Sequence, residues 1–288
     1  MKKPQQKQRP VFKSGEGRRL ILDHYRTLLQ HVDFAYKESF HDTRYGETYV
    51  LESGSAALPP LLLLHGSTSN SAAWFGDIGA LARHFHVYSV DLIGDAGHSA
   101  PVRPDLRAGG YALWLRDLYA ALGLRSAGLM GISLGAWIAL DFTTRNPELV
   151  RQLVLLAPAG LAPIRGSFLL RAILYGITGQ GSEGILQLVF GDDPVPEEVF
   201  AYARLLGKHY NPYTGVLPVF PDAALRQLSM PLLCIAGEKD ALINVPRSVR
   251  RLGRLLPGAR VSLLPDRGHA VIGVLDRVLP FLMETAPH

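Results

Sequence analysis

The sequence is poor in cysteine, with Cys234 as the single thiol in 288 residues. One cysteine excludes an intrachain disulfide and any metal site built from several thiolates. Cys234 stands in an apolar run from Leu232 to Ile235, which favours a buried thiol with a structural role. The string Gly179 to Gly184 has the glycine spacing of a dinucleotide-binding loop, but it follows a helix-like segment rather than a strand. We therefore expect neither a metal ion nor another cofactor.

Long hydrophobic runs are also missing from the sequence. The longest lipophilic segment, residues 160–178, is interrupted by Arg165 and Arg171. Since a membrane-spanning helix needs about 18 or more consecutive apolar residues, no such helix is expected. The lysines near the start of the chain are not followed by an apolar stretch, so a secretory signal would lack its hydrophobic region. The location expected from these features is the cytoplasm.

Acidic residues are scarce at the start of the chain. Residues 1–19 contain seven lysines and arginines against Glu16 alone, whereas basic and acidic residues nearly balance in the rest. The formal net charge of +5 therefore belongs to this segment. We expect residues 1–16 to form a basic, flexible tail surrounded by solvent. No nucleic-acid-binding motif accompanies the tail, so a nucleic acid is not an expected partner.

Apolar residues make up 48% of the chain, which is enough to bury a large core. Just after the tail, apolar residues recur at helical spacing and predict one amphipathic helix over residues 17–32. The apolar stripe of this helix must be buried either on the body of the protein or on a second copy of the chain. A homodimer is therefore an open alternative.

The rest of the sequence alternates between short apolar runs and segments of helix length. Residues 47–51 predict part of a hairpin at a sheet edge. Continuous apolar runs that alternate with helices predict a mainly parallel sheet of the eight-stranded type, buried on both faces by helices. The six runs predicted as its strands are 61–64, 87–90, 128–132, 153–156, 232–236 and 261–264. This α/β core is assigned to residues 17–158 and 223–288.

The alternation is interrupted once, between Pro158 and Asp222. More than 60 residues there contain no clear strand but many apolar and aromatic side chains. An unstructured loop of this length would be unusual in a compact domain. We therefore interpret residues 159–222 as a helical cap inserted between two strands of the sheet.

The segment from Gly131 to Gly135 spells Gly-x-Ser-x-Gly around Ser133. The string alone is weak evidence, but here it follows a strand-like run and precedes a helix-like segment, the setting expected of a nucleophilic serine. The sharp turn between strand and helix presents the serine hydroxyl at the carboxyl edge of the sheet. The flanking glycines are needed because the tight turn leaves no room for side chains.

A serine hydroxyl is a weak nucleophile and needs a base that a third group holds in place. His269 follows the last strand-like run on a loop, where its ring can reach the same sheet edge. In this architecture the acid lies between serine and histidine in chain order. Asp240 follows a strand at that position and is our choice of acid, with Glu238 as the competitor. Asp266, only three residues from His269, is expected to be solvated instead.

Two further groups of residues are predicted around this serine. The backbone N–H groups of Ser67 and Leu134 would form an oxyanion hole, since Ser67 follows a strand-like run and Leu134 follows the nucleophile. Three aromatic side chains are predicted to line the substrate pocket, which is expected to be largely apolar. They are Trp74, Tyr175 and Phe190.

These elements, in this order, resemble the α/β-hydrolase fold family over about residues 40–285. The motifs that carry the resemblance are His65-Gly66, Asp91 to Ser99, the segment around Ser133, Asp240, and Gly268-His269. The string Ile-Gly-Asp at residues 93–95 departs from the commoner spelling of the family and looks like a bacterial carboxylesterase-like subgroup. The resemblance implies that Asp91 and His98 are structural or pocket-rim residues.

The resemblance, together with the predicted triad, implies a serine hydrolase that cleaves a small-molecule carboxylic ester through an acyl-enzyme intermediate. A nucleophilic serine disfavours the family branches that use aspartate, and Ile132 before the serine disfavours the carbon–carbon bond hydrolases. A related acyl-transfer enzyme (thioesterase, lactonase or perhydrolase) stays open as an alternative. So does a ligand-binding protein without catalytic activity, because a fold does not fix a function.

Overall fold

A single eight-stranded sheet organises the part of the chain that the computed structural model describes, residues 9–178 and 181–285. Its strands are β1 (Lys37–Thr43), β2 (Gly46–Ser53), β3 (Pro60–Leu64), β4 (His86–Val90), β5 (Ala127–Ile132), β6 (Val150–Leu156), β7 (Leu232–Gly237) and β8 (Arg260–Leu264). They lie in the order β1-β2-β4-β3-β5-β6-β7-β8. The hairpin β1–β2 is antiparallel and β2 pairs antiparallel with β4, while the other strands pair in parallel. The predicted sheet is confirmed.

The strands are buried because helices cover both faces of the sheet. On β3, Leu61 and Leu63 belong to one hydrophobic cluster, whereas Leu62 and Leu64 belong to another. Successive side chains of a strand point to opposite faces, so the two clusters lie on opposite sides of the sheet. All four leucines are fully buried, which explains why the sequence shows a continuous apolar run here rather than an alternating one.

Helices connect the strands and fill the two outer layers. They are α1 (Gly15–Leu29), α2 (Phe75–Leu81), α3 (Gly110–Ala121), α4 (Leu134–Arg145), α5 (Gly166–Thr178), α6 (Gly181–Phe190), α7 (Glu197–His209), α8 (Asp222–Leu225), α9 (Val245–Leu255) and α10 (Leu275–Thr285). Within the described part of the chain, none of these helices has the length and apolar character needed to cross a membrane.

Helices α5, α6 and α7 lie in the segment predicted as a helical insertion, between β6 and β7. They pack against one another in sequence, α5 on α6 and α6 on α7. Residues 179 and 180, which begin the glycine-spaced string noted in the sequence, lie outside the described residues, and the rest of that string starts α6. The division of the chain into a core and a cap stays a prediction.

The prediction of a flexible tail over residues 1–16 is wrong for its second half. Residues 1–8 lie outside the described part of the chain, but Val11 and Phe12 are buried and Phe12 forms an isolated antiparallel bridge with Tyr210. Helix α1 starts at Gly15, after Ser14 caps it by accepting a hydrogen bond from the N–H of residue 17. The reason for the error is physical: two adjacent apolar residues have no periodicity, so their burial against a distant segment leaves no pattern in the sequence.

The apolar stripe of α1 is buried on the body of the protein. Ile21, Tyr25 and Leu29 are each at most 6% exposed. Ile21 belongs to a small cluster with Val11, while Tyr25 and Leu29 join the core on one face of the sheet. This stripe therefore gives no reason to invoke a second copy of the chain.

Candidate active site

Ser133 occupies a sharp turn between strand β5 and helix α4. Its backbone has φ 52° and ψ −104°, an unfavourable conformation for a residue with a side chain. The turn is held by hydrogen bonds on both sides, from the N–H of Ser133 to the Leu156 carbonyl and from the Trp137 N–H to the Ser133 carbonyl. The hydroxyl is thereby presented at the carboxyl edge of the parallel sheet.

The glycines on either side of this turn are required by close backbone contacts. A Cβ on Gly135 would overlap with the carbonyl oxygens of Leu64 and His65, at the end of the neighbouring strand. A Cβ on Gly131 would overlap with the backbone of Gly135. The strand, the turn and the helix can approach one another this closely only without these two side chains.

His269 and Asp240 complete a hydrogen-bonded chain with Ser133. Nε2 of His269 lies 2.8 Å from Oγ of Ser133, and Nδ1 of His269 lies 2.6 Å from Oδ2 of Asp240. An ionised carboxylate can only accept a hydrogen bond, so Nδ1 carries the hydrogen and Nε2 is free to accept one from the serine hydroxyl. His269 is 5% exposed and Asp240 1% exposed. The hydrogen bond between these two side chains is therefore shielded from water.

The loop after β7 fixes the carboxylate of Asp240. Its Oδ1 accepts hydrogen bonds from the backbone N–H groups of Leu242 and Ile243, at 2.7 and 2.9 Å, so Oδ2 is left to face the histidine. The competing acid, Glu238, has an exposed side chain. Asp266 is 90% exposed and lies 3.6 Å from the ammonium group of Lys239. The structure therefore brings Asp240, and neither alternative, against His269.

The two residues predicted to donate to an oxyanion are Leu134, which follows Ser133 in the chain, and Ser67, which lies in a separate loop. Leu134 is the first residue of α4, so its N–H has no partner within the helix. Ser67 lies in the loop of residues 65–70, hereafter the oxyanion loop, which follows β3. A Cβ built on Gly66 would come within 3.8 Å of the Ser133 Cβ, so this loop passes directly beside the serine.

Of the three aromatic residues predicted for the pocket, Phe190 is the last residue of α6, and its backbone contacts the loop that carries His269. The N–H of Ala270 donates to the carbonyl of Val189, and a Cβ on Gly268 would touch the carbonyl of Phe190. The end of α6 thus packs on the loop that carries His269. Tyr175 is half-buried, with its ring against Gly184 of the next helix.

Trp74 is placed differently from the prediction. It is 1% exposed and belongs to the hydrophobic core on one face of the sheet. A side chain with so little exposed surface is a core residue here rather than an open pocket wall. The sequence offers no means to tell the two apart, because a tryptophan after a loop suits either role.

The family-like segment after β4 is built around a buried carboxylate. Asp91 accepts hydrogen bonds from the N–H and the hydroxyl of Ser71, both at 2.8 Å, and from the N–H of His98 at 2.8 Å. A Cβ on Gly97 would overlap with this carboxylate. Asp91 therefore ties together the segments that carry Tyr25, Ser71 and His98. Within the described part of the chain, neither Ser133 nor His269 is among the hydrogen-bond partners of its carboxylate.

One residue to which the sequence assigned no role lies behind the oxyanion loop. Asp95 is 4% exposed, and its Oδ2 accepts a hydrogen bond from the N–H of Thr68 at 3.2 Å. Burial raises the pKa of Asp95, and the nearby His65 and the hydrogen bond from Tyr210 oppose that change. The signal in the sequence was a lone acidic residue in the otherwise uncharged segment 92–97.

Comparisons with known proteins show the family of this chain. Residues 61–278 match the sequence model of the Alpha/beta hydrolase family. Carboxylesterase YbfK of Bacillus subtilis is 31% identical over 262 residues, which cover 85% of this chain and 88% of the relative. An uncharacterized carboxylesterase, nap, of the same organism is 30% identical over 245 residues, covering 82% of this chain and 81% of the relative.

Solved structures give the same result. The crystal structure of carboxylesterase CesB (YbfK) from Bacillus subtilis superposes with a TM-score of 0.84 at 28% identity, and covers 93% of this chain and 99% of that one. The naproxen esterase (carboxylesterase NP) from Bacillus subtilis has a TM-score of 0.79 at 27% identity, covering 90% and 96%. From the sheet order, the turn at Ser133 and these matches together, the chain belongs to the alpha/beta hydrolase family.

Proposed function

We propose that this protein is a serine hydrolase that cleaves a carboxylic ester through an acyl-enzyme intermediate. The observation that carries the proposal is the hydrogen-bonded chain from Ser133 through His269 to Asp240, with distances of 2.8 and 2.6 Å. The names of the relatives support it, since both curated relatives described above are carboxylesterases. A nucleophile, a base and a group that orients the base are the three parts that acyl transfer needs.

In the first half of the proposed reaction, Oγ of Ser133 attacks the ester carbonyl while Nε2 of His269 takes the hydroxyl proton. Asp240 holds the imidazole in the required tautomer and stabilises the imidazolium that forms. The carbonyl oxygen becomes an oxyanion, which the N–H groups of Ser67 and Leu134 would bind. His269 then returns its proton to the leaving alkoxide, so that the alcohol departs and the acyl group stays on Ser133.

In the second half, water attacks the acyl-enzyme carbonyl and His269 again acts as the base. The same two N–H groups would bind the second oxyanion. When the tetrahedral intermediate collapses, the proton on His269 returns to Ser133 and the carboxylic acid is released. The net reaction consumes one ester and one water and yields one acid and one alcohol, with no cofactor required.

The surroundings of the site favour uncharged esters. Two arginines of the inserted segment are engaged elsewhere: Arg204 pairs with Glu183 and Glu197, and Arg165 donates to the carbonyl of Ile243. Arg171, on α5, is exposed. Apolar side chains of α5 and α6, such as Phe190, would then line most of the acyl pocket. We propose a preference for small-to-medium uncharged acyl groups. A cytoplasmic location and a homodimer, both drawn from the sequence alone, remain proposals.

Covalent labelling tests the nucleophile directly. A fluorophosphonate probe should label the wild-type protein and fail to label Ser133→Ala, and that variant should lose nearly all hydrolysis of p-nitrophenyl butyrate. Ser55→Ala is the matched control, because Ser55 is an exposed serine in the loop between β2 and β3. Hydrolysis by Ser133→Ala at a rate near wild type would refute the assignment.

A series of acyl chains tests the pocket. We expect kcat/KM to rise from acetate to butyrate by up to about fourfold per methylene, since each buried methylene contributes about 0.8 kcal/mol, and then to fall once the pocket is full. Hexanoate and decanoate esters locate that limit, and a succinate half-ester is the charged control. A maximum for the succinate half-ester would mean that an arginine faces the acyl group and that the apolar pocket is wrong.

A further inference from the structure

The carboxylate of Asp95 joins three segments of the chain behind the oxyanion loop. Its Oδ2 accepts from the Thr68 N–H at 3.2 Å, and its Oδ1 accepts from the Tyr210 hydroxyl and the Ala96 N–H, both at 2.8 Å. Thr68 belongs to the oxyanion loop and Ala96 to the segment after β4. Tyr210 directly follows His209, the last residue of α7. A buried carboxylate with this many donors is fixed in one orientation.

The oxyanion loop needs such a support because its backbone is strained. Thr68 has a φ of 61°, in the left-handed region that β-branched residues avoid. A residue stays in such a conformation only when its surroundings hold it there. The hydrogen bond from the Thr68 N–H to Asp95 does this, and it also fixes the peptide next to Ser67, whose N–H is proposed to bind the oxyanion.

A second connection runs in parallel between the same elements. Nδ2 of Asn70 donates to the Ala96 carbonyl at 3.0 Å and contacts the Tyr202 hydroxyl at 3.1 Å. Tyr202 and Tyr210 both belong to α7 and its C-terminal end, so the oxyanion loop is attached to this inserted helix at two points. Arg103 contacts the Tyr210 hydroxyl at 3.3 Å and donates to the carbonyl of Asn211.

We propose that Asp95 is a positioning residue for the oxyanion hole, and that Tyr210 uses it to couple the placement of α7 to the geometry of that hole. The role rests on the proposed function, because it concerns the N–H of Ser67 as an oxyanion donor. Asp95 acts through the oxyanion loop and does not touch the substrate. The inserted helices would thus contribute to the reaction step as well as to the pocket wall.

The proposal predicts a specific kinetic signature. An oxyanion exists in the transition state and not in the bound ester, so a misplaced donor lowers kcat and leaves KM nearly unchanged. The affinity for a trifluoromethyl ketone, whose adduct with Ser133 carries the same oxyanion, should fall in parallel with kcat. If Asp95 had only a structural role, its replacement would lower the melting temperature, but kcat and ketone affinity would not fall in parallel.

Three variants test this signature. In Asp95→Asn the amide has a single acceptor oxygen, so it can accept from Thr68 or from Tyr210 but not from both. We expect kcat to fall about 10- to 100-fold, somewhat less than the loss of an entire oxyanion donor. Tyr210→Phe removes only the hydroxyl and should lower kcat by a smaller factor. The double variant should be no worse than Asp95→Asn, because both changes act through one carboxylate.

Asp141→Asn is the matched control for the loss of a buried carboxylate. Asp141 is 2% exposed and pairs with Arg145 within α4, so this variant should reduce the melting temperature while leaving both kcat and ketone affinity near their wild-type values. The positioning role is overturned if Asp95→Asn keeps kcat within about twofold of wild type, or if kcat falls while ketone binding does not. Tyr210→Phe, which keeps all of the ring, decides the question by the same two measurements should Asp95→Asn fail to fold.

Ser133→Ala separates this proposal from the proposed function. If Ser133→Ala is inactive while Asp95→Asn and Tyr210→Phe behave like wild type, the serine hydrolase assignment stands and the positioning role is wrong. If Ser133→Ala still hydrolyses esters, the proposed function fails and the role of Asp95 fails with it. If Ser133→Ala is inactive and the two other variants lose kcat and ketone affinity together, both proposals are supported.

Discussion

Replacing Phe12 with alanine tests whether the N-terminal segment is part of the folded body. The Phe12 ring is 8% exposed and meets the Tyr210 ring edge to face, with 6.0 Å between the ring centres. The guanidinium of Arg18 lies over the same ring at 5.7 Å. Val11, 3% exposed, belongs to the same small cluster. The variant Phe12→Ala removes these contacts while leaving the basic residues in place.

The magnitude follows from the burial of the ring. A phenylalanine-to-alanine change in a core costs about 3–5 kcal/mol of unfolding free energy. The small cluster around Phe12 lies near the surface and can partly close over the gap, so we expect the lower end, about 3 kcal/mol. For a chain of this size, each kcal/mol lowers the melting temperature by roughly 2–4 °C, which gives a decrease of about 6–12 °C.

Thermal unfolding followed by circular dichroism measures this decrease. The matched control is deletion of residues 1–8, which removes three lysines but keeps Val11 and Phe12. The deletion keeps the described contacts of Val11 and Phe12, so we expect the melting temperature to stay within about 2 °C of wild type, a change of less than about 0.5 kcal/mol. Equal melting temperatures for Phe12→Ala and wild type would refute the packing described here.

Three further outcomes are expected. Asp240→Asn should keep the fold but lower kcat by a factor on the order of 10⁴, because an amide can orient His269 in the wrong tautomer. If Glu238→Gln lowered kcat more than Asp240→Asn does, the wrong acid would have been chosen. Gly135→Ala should abolish activity and destabilise the protein, since its methyl group would overlap with the Leu64 carbonyl; a stable, active variant would contradict the close contact. Burial raises the pKa of Cys234 to about 12, which disfavours the reactive thiolate. We therefore expect native protein at pH 8 to resist iodoacetamide and to react only after unfolding in guanidinium chloride.

The sheet could be predicted because its strands are buried on both faces. Runs such as Leu61–Leu64 are then continuously apolar and stand out from the helical segments between them. The predicted runs all lie within observed strands. The prediction of α1 was displaced by two to three residues, from 17–32 to Gly15–Leu29, because helix ends depend on the local cap at Ser14 more than on the apolar period.

The three residues of the hydrogen-bonded chain could be chosen from their positions after strands, since parallel strands place their carboxyl ends at one edge of the sheet. The contacts of Asp95 and Phe12 could not. Each depends on segments more than 100 residues apart that meet at Tyr210, and a single sequence has no local pattern for such a meeting. The burial of Trp74 was missed for a similar reason, since its neighbours come from several distant elements.

The contact between the first described residues and the end of α7 also determines when these residues can fold during synthesis. Asn211 donates to the carbonyl of Pro10, a residue 201 positions earlier. At about 5–20 residues per second, the ribosome makes the partner of this segment roughly 10 to 40 s after the segment itself. Val11 and Phe12 therefore leave the ribosome long before the surface that buries them exists. This segment can pack in its final place only after about 200 further residues have been made, and until then its two apolar side chains are exposed to chaperones and proteases.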